Sequence, residues 1–154
     1  MSRILALTLI LLTTACAAPP SEPPQPVSTA EIQSFLDAFS AAARTGDADT
    51  ISAMYAEDVR ILEDGRLAYS SRSEVREAIA AFPVQGEVTL NFAGTDILAL
   101  SESAALVQTA FEQRFESNGW SFGGAISMLL TREDDAWLIK RSHTSTGENR
   151  GEQG

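Results

Sequence analysis

The chain has 154 residues, of which 11 are basic and 21 are acidic, so its formal net charge is -10 at pH 7. Phosphate backbones and anionic lipid headgroups repel such a surface, which argues against nucleic-acid binding and against direct adsorption to a membrane. The length suits one domain, and a hydrophobic fraction of 44% is that of an ordinary globular protein. The single cysteine excludes an internal disulfide.

The N-terminal segment has the pattern of an export signal. Arg3 provides a short positive start, and an apolar run from Ile4 to Leu12 follows it. This run is shorter than the roughly 20 residues needed to cross a bilayer, so it predicts a signal peptide and not a transmembrane helix. The sequence Thr13-Thr14-Ala15-Cys16 resembles a lipobox, in which only a cysteine can receive the lipid on its sulfur. We therefore expect residues 1–15 to be a lipoprotein signal peptide and Cys16 to be lipidated.

Lipidation at Cys16 predicts an anchor in the cell envelope, with the domain on the periplasmic side. Ala17, which follows the cysteine, favours the outer membrane over the inner one. The alternative is a secreted or soluble periplasmic protein, because Ala15-Cys16-Ala17 is also an ordinary cleavage signal. Residues 16–27 hold most of the prolines, which favour an extended tether over a helix or a central strand.

A capping box marks the start of a domain that we expect over residues 28–145. Ser28 with Glu31 predicts a helix start, and Thr45-Gly46 predicts its end. Apolar residues recur between them at helical spacing. These residues are Ile32, Phe35, Leu36, Phe39 and Ala43.

Shorter elements are predicted next in the chain. Asp47 caps a second, short helix that carries Ile51, Met54 and Tyr55. Glu63-Asp64-Gly65 predicts a hairpin turn after a short strand. Ser71 with Glu74 forms a second capping box, and the third helix that it starts is expected to end at Pro83.

The remainder alternates between apolar and polar residues in the manner of strands. A helical half followed by long strands predicts an α+β fold with helices on one face of an antiparallel sheet. The predicted strands cover Val88–Phe92, Ile97–Leu100, Ala104–Phe115, Gly124–Arg132 and Trp137–His143.

The late strands are apolar on both faces, as Leu106 opposite Val107 and Leu129 opposite Met128 illustrate. The helices cover only one of these faces, so the other favours a homodimer formed through the sheet. The alternative is a monomer that exposes some apolar surface. Residues 146–154 are polar and predict a disordered tail.

Two motifs have the spacing of a known superfamily. Residues 45–58 read TGDADTISAMYAED, and residues 137–145 read WLIKRSHTS after a turn at Glu133-Asp134-Asp135. They resemble the nuclear transport factor 2-like superfamily, in particular its SnoaL-like and ketosteroid-isomerase-like branch. The resemblance covers residues 32–145. It implies a cone-shaped, strongly curved antiparallel sheet wrapped around N-terminal helices, of the cystatin-like type, that encloses a conical pocket.

The resemblance also implies that the last strand looks into this pocket. Simple alternation along that strand places Arg141 and His143 on the same face as Trp137 and Ile139. The pocket is then mostly apolar with one fixed cation, and it predicts an apolar or acidic small-molecule ligand. The expected lining residues are Phe35, Phe39, Tyr55, Trp137, Ile139, Arg141 and His143.

A catalytic role has weaker support in the sequence. Ketosteroid isomerases use a carboxylate base, and the matching position here is Glu63. They also use a tyrosine of the first helix as an oxyanion donor, and Phe39 occupies that position here. Asp58 and His143 are further candidates for acid–base chemistry, although Asp58 suits a turn and His143 suits a hydrogen-bonded strand residue.

The incomplete catalytic set favours a noncatalytic binding or interaction module. The alternative is a small isomerase-, cyclase- or hydrolase-like enzyme that uses a pocket carboxylate or His143. One histidine and no acidic cluster with ligand spacing predict neither a metal site nor a cofactor.

Overall fold

The computed structural model describes residues 27–82 and 87–147. The predicted signal peptide, Cys16, Pro83 and most of the predicted tail lie outside these residues. The tether prediction lies outside them as well, apart from Val27. No helix in the described part of the chain is long and apolar enough to cross a membrane.

Three helices precede or interrupt the sheet, and local capping explains where they begin. The Ser28 hydroxyl accepts a hydrogen bond from the Ala30 amide, and the Ser71 hydroxyl accepts one from the Glu74 amide. Gly46, in the left-handed conformation with φ 65°, ends the first helix as predicted. The helices are α1 Thr29–Thr45, α2 Ala48–Ser52 and α3 Arg72–Ala81.

The described strands form one six-stranded sheet in the order β2-β1-β6-β5-β4-β3. Neighbours pair antiparallel except β1 and β6, which pair parallel. The prediction of an α+β fold with helices against a mainly antiparallel sheet is confirmed. The strands are β1 Tyr55–Glu63, β2 Arg66–Tyr69, β3 Val88–Ser101, β4 Ala104–Phe115, β5 Trp120–Glu133 and β6 Ala136–Thr146.

Two predicted elements differ from the structure. The separate strands expected over Val88–Phe92 and Ile97–Leu100 are one strand, β3, because a register shift with Gly94 in the left-handed conformation bends it without ending it. Tyr55, expected on the second helix, instead begins β1, since α2 ends at Ser52.

The hydrophobic core lies between α1 and the concave face of the sheet. Ile32 and Leu36 of α1 are fully buried, as are Met128 and Leu130 of β5 on the opposing face. Val27 also belongs to this core, because its side chain is buried and its amide donates to the Ser101 carbonyl at 3.4 Å. Val27, predicted as the last residue of the tether, therefore packs with the domain.

The sheet is able to curve sharply at a glycine pair in β5. A Cβ atom on Gly123 would meet the Phe111 carbonyl oxygen at 2.6 Å, and one on Gly124 would collide with the Ser145 carbonyl oxygen. Glycine is therefore required where β4 and β6 approach β5 this closely. The resulting curvature shapes the concave side on which the helices lie.

Candidate ligand cavity

A cavity of about 520 Å³ lies between the helices and the concave face of the sheet. Its walls come from all three helices and all six strands, and most of its lining is aromatic or aliphatic. Phe39 of α1 packs against Tyr55 and Phe92 there, with ring centroids 5.8 and 6.4 Å apart. The cavity is a feature of the whole fold, since no single element could form it.

Aromatic rings gather where the β4–β5 hairpin meets the end of α3. Trp120 lies 5.1 Å from both Phe115 and Phe122, and Phe82 lies 5.6 Å from Phe115, between ring centroids. Phe82 is 55% exposed and Trp120 44% exposed although both line the cavity. We call these four residues the aromatic cluster. The exposure of Phe82 and Trp120 places these two rings at an opening to solvent.

Polar groups enter the cavity from β1 and β2. Tyr55, Glu63 and Tyr69 all line it, and we call them the polar cluster; Ser142 and Thr144 of β6 line the cavity as well. Burial, and then the Glu63 carboxylate, raise the pKa of Tyr55 well above its ordinary range, and the same two causes raise the pKa of Tyr69. Both phenols therefore remain protonated near neutral pH and can donate hydrogen bonds.

Sequence reasoning identified Glu63 and Tyr55 but not Tyr69. The hairpin register pairs Tyr69 with Ile61, which is buried on the inner face. Plain pairing outward from the Asp64-Gly65 turn would have set Tyr69 opposite Arg60, which is exposed, and directly paired residues of an antiparallel hairpin share a face. The register shift after Ile61 pairs Tyr69 with Ile61 instead and brings it to the inner face, and no local pattern signals that shift.

A β-bulge in β6 changes which of its residues face the cavity. Ile139 pairs with Leu130 and Arg141 pairs with Leu129, so Lys140 is an extra residue in the strand. An extra residue reverses the alternation beyond it. The expectation that Arg141 and His143 share a face with Ile139 is therefore corrected.

Beyond the bulge, the side chains of Ser142 and Thr144 line the cavity in place of those of Arg141 and His143. Arg141 and His143 instead belong to the convex face. Arg141 there donates to the carbonyl oxygens of Asp58 and Lys140 at 3.1 and 2.6 Å. His143 is exposed.

The other expected lining residues divide between cavity and core. Phe39 and Tyr55 line the cavity. Phe35 is buried and stacks on Phe39 at 6.4 Å, so it supports the cavity wall from behind. Ile139 is 1% exposed within the core, and Trp137 lies beneath the Arg132 guanidinium at 4.7 Å. Neither of these two β6 residues lines the cavity.

Of the three catalytic candidates, only Glu63 lies at the cavity. The Asp58 carboxylate pairs with the Lys140 ammonium at 2.6 Å, and that hydrogen bond lowers the pKa of Asp58. An ionised, paired carboxylate is a poor proton acceptor near neutral pH. His143 is on the other face. Within the described ranges, histidine, cysteine and acidic residues form no group of three that could hold a metal ion.

A helical layer against a curved sheet, with an apolar cavity between them, defines the nuclear transport factor 2-like class of α+β domains. A family model described as "SnoaL-like domain" matches residues 32–147. The chain therefore belongs to the SnoaL-like domain family. No curated protein matches the sequence significantly.

Solved structures of the same class share the fold at low sequence identity. One from Xanthomonas campestris, named as a candidate calcium/calmodulin dependent protein kinase II association domain, is 19% identical with a TM-score of 0.69, over 91% of this chain and 99% of that chain. An NTF-2 like protein of unknown function from Shewanella oneidensis MR-1 is 24% identical with a TM-score of 0.64, over 76% and 98%. A ketosteroid isomerase-like protein from Erwinia carotovora atroseptica is 22% identical with a TM-score of 0.58, over 76% and 94%. These likenesses concern the fold alone.

Proposed function

We propose that the chain binds an apolar small molecule in the cavity between α1, α3 and the sheet, as a noncatalytic domain held in the cell envelope. The observation that carries this proposal is the cavity itself, about 520 Å³ with a mostly aromatic and aliphatic lining. Small-molecule sites have this character: volumes of roughly 300–1,000 Å³, apolar walls and a few polar groups that orient the ligand. The polar cluster provides those few groups.

A volume-filling variant tests the cavity. Ala43 of α1 lines it, whereas Ala41 of the same helix is exposed and lies outside the lining. We expect the purified full chain and the control Ala41→Phe to bind the neutral apolar dye Nile red saturably. Ala43→Phe should lose that binding while keeping its circular dichroism spectrum, because the new ring occupies the ligand volume. Equal dye binding by Ala43→Phe, or no binding by the unmodified chain, would contradict the proposal.

Acid–base catalysis at Glu63 is a second candidate function. The observation that favours it is that Glu63, Tyr55 and Tyr69 line the same cavity, with the Glu63 carboxylate near enough to raise the pKa of both phenols. A carboxylate beside protonated hydroxyl donors suits proton abstraction next to a carbonyl. Deuterium exchange into a cyclic ketone, followed by NMR and lost in Glu63→Gln, would favour the enzyme over the carrier.

Two further parts of the proposal concern assembly and location. A second copy of the chain is the proposed partner for the convex face of the sheet, where Leu98, Leu106 and Leu129 lie in one row across three strands. Lipidation of Cys16 is the proposed attachment to the membrane, on the periplasmic side and preferably at the outer membrane. The lipobox-like sequence supports this location.

A further inference from the structure

Glu63 is the only charged side chain among the described residues that line the cavity. We propose that the ligand is an organic cation: a protonated amine on an apolar body, with its ammonium group at the polar cluster. This inference rests on the proposed function and names the ligand class of the same cavity. It replaces the expectation of an acidic ligand, which depended on Arg141 facing inward.

Among the described residues, no basic side chain forms an ion pair with Glu63. Arg72 donates from Nε to the Tyr55 carbonyl and from Nη1 to the Glu57 carboxylate, both at 2.6 Å. Lys140 pairs with Asp58 and Glu133 at 2.6 and 3.1 Å. Arg66 pairs with Glu63 across the β1–β2 hairpin, yet it neither lines the cavity nor lies within ion-pair distance of Glu63 among the described contacts.

Because Glu63 has no ion-pair partner among the described residues, its carboxylate favours cationic ligands over neutral or acidic ones. A carboxylate accepts a charge-assisted hydrogen bond from an ammonium group, which is stronger than one from an alcohol. The same carboxylate repels an acid, and the formal net charge of -10 extends that preference to approaching ligands. The Tyr55 and Tyr69 hydroxyl oxygens, whose protons are retained, can accept further hydrogen bonds from the ammonium group.

The remaining lining suits the apolar body of such a ligand. In the sheet register, Glu63 lies beside Thr144, and Thr144 lies beside Ile126 of β5. Trp120 lies further along β5, toward the hairpin and the aromatic cluster. An extended molecule can therefore place its cation at the polar cluster and its hydrocarbon part along the rings. The negative faces of those rings also tolerate a cation during entry.

A matched ligand series tests the charge preference. Cyclohexylpropylamine, cyclohexylpropanol and cyclohexylpropanoate share one apolar body and differ in their charge. By calorimetry on the purified full chain, we expect the amine to bind about tenfold more tightly than the alcohol, and the acid to bind most weakly. Glu63→Gln should reduce the affinity for the amine to that for the alcohol. The control Glu112→Gln, an exposed carboxylate on the convex side of β4, should leave all three affinities unchanged.

The outcomes separate this inference from the proposed function. Binding of the acid or the alcohol as tightly as the amine would overturn the inference and leave an apolar-ligand cavity standing. An amine preference that persists in Glu63→Gln would also overturn it, because the net charge of the chain would then be sufficient to explain the preference without Glu63. If none of the three compounds binds, the inference is overturned, and the proposed function fails with it only if Nile red does not bind either.

Discussion

Tyr55 illustrates how one residue joins the core to the cavity. Its backbone begins β1 and its carbonyl accepts a hydrogen bond from Arg72, while its ring packs edge-on against Phe39. Its hydroxyl is held protonated because burial and the Glu63 carboxylate raise the pKa. Because the folded chain holds this proton more tightly than the unfolded chain does, the free energy of unfolding should fall at alkaline pH.

We predict that Tyr55→Phe reduces the loss of stability at alkaline pH. The contribution of the raised pKa to the free energy of unfolding is fully present below the ordinary tyrosine pKa of about 10, where the folded and the unfolded chain both retain the proton. Above that pH the unfolded chain releases the proton first, so the free energy of unfolding falls as pH rises toward the folded-state pKa. Urea unfolding on both sides of this pH measures the effect. Tyr69→Phe is the control, because the pKa of Tyr69 is raised less than that of Tyr55. The prediction would be contradicted if the free energy of unfolding changed with pH in the same way for the wild type and Tyr55→Phe.

At the scale of elements, two irregularities in the sheet form the cavity wall. The Gly123-Gly124 pair lets β4 and β6 approach β5 closely, and the extra residue Lys140 reverses the alternation of β6. Without the bulge, the Arg141 and His143 side chains would point into the cavity. With it, the hydroxyl-bearing Ser142 and Thr144 line the wall, and Glu63 remains the charged lining residue of the described part of the chain.

We predict that Gly124→Ala destabilises the domain by about 1–3 kcal/mol, because the added Cβ collides with backbone that cannot move aside easily. Urea unfolding followed by tryptophan fluorescence measures this loss. Gly147→Ala is the matched control, since its Cβ would meet only the Gly123 carbonyl oxygen at 3.6 Å, an ordinary contact. Equal stability of the two variants would show that β5 relaxes at little cost.

For the whole molecule, the proposed association of two copies depends on the convex face. The row formed by Leu98, Leu106 and Leu129 crosses the middle of the sheet, and Leu98 is 55% exposed in the single chain. Burial of such apolar surface against a second copy is favourable. The helices do not cover this face, since their buried residues pack on the concave side.

We predict that the purified chain is a dimer and that Leu129→Glu converts it to a monomer, because the new carboxylate would be desolvated in the interface. Multi-angle light scattering measures the mass. Ala41→Glu adds the same charge to the exposed side of α1 and should leave the dimer intact. A monomeric wild type at micromolar concentration contradicts the prediction.

We predict that Cys16→Ser abolishes membrane association of the exported protein, because serine has no thiol to accept the lipid. Fractionation of the producing cells, with mass spectrometry of the mature N-terminus, measures this. Wild-type protein found in the soluble fraction and beginning after Cys16 would favour ordinary secretion instead.

Local patterns were sufficient to predict the helix starts, the β1–β2 turn and the fold class. Capping by Ser28 and Ser71 and the left-handed Gly46 each depend on a few neighbouring residues, so sequence determined them. Alternation along the late strands also placed Met128 and Leu129 on opposite faces of the sheet, but only the structure showed that Met128 is the one that faces the helices. Glu63 was identified as a candidate through the family resemblance, since its position matches that of the carboxylate base in ketosteroid isomerases.

Only the tertiary structure decided the chemistry of the cavity. A bulge depends on the register between two strands, which no local pattern encodes, and the bulge at Lys140 moved Arg141 and His143 to the convex face. The proximity of Tyr69 to Tyr55 and Glu63 likewise arises from the pairing of β2 with β1 and the position of α3. Sequence therefore determined that a pocket-forming domain exists, whereas long-range strand pairing determined that its single lining charge among the described residues is negative. A one-residue shift in pairing exchanges the two faces of a strand, and this is why the sign of that charge could not be predicted from alternation.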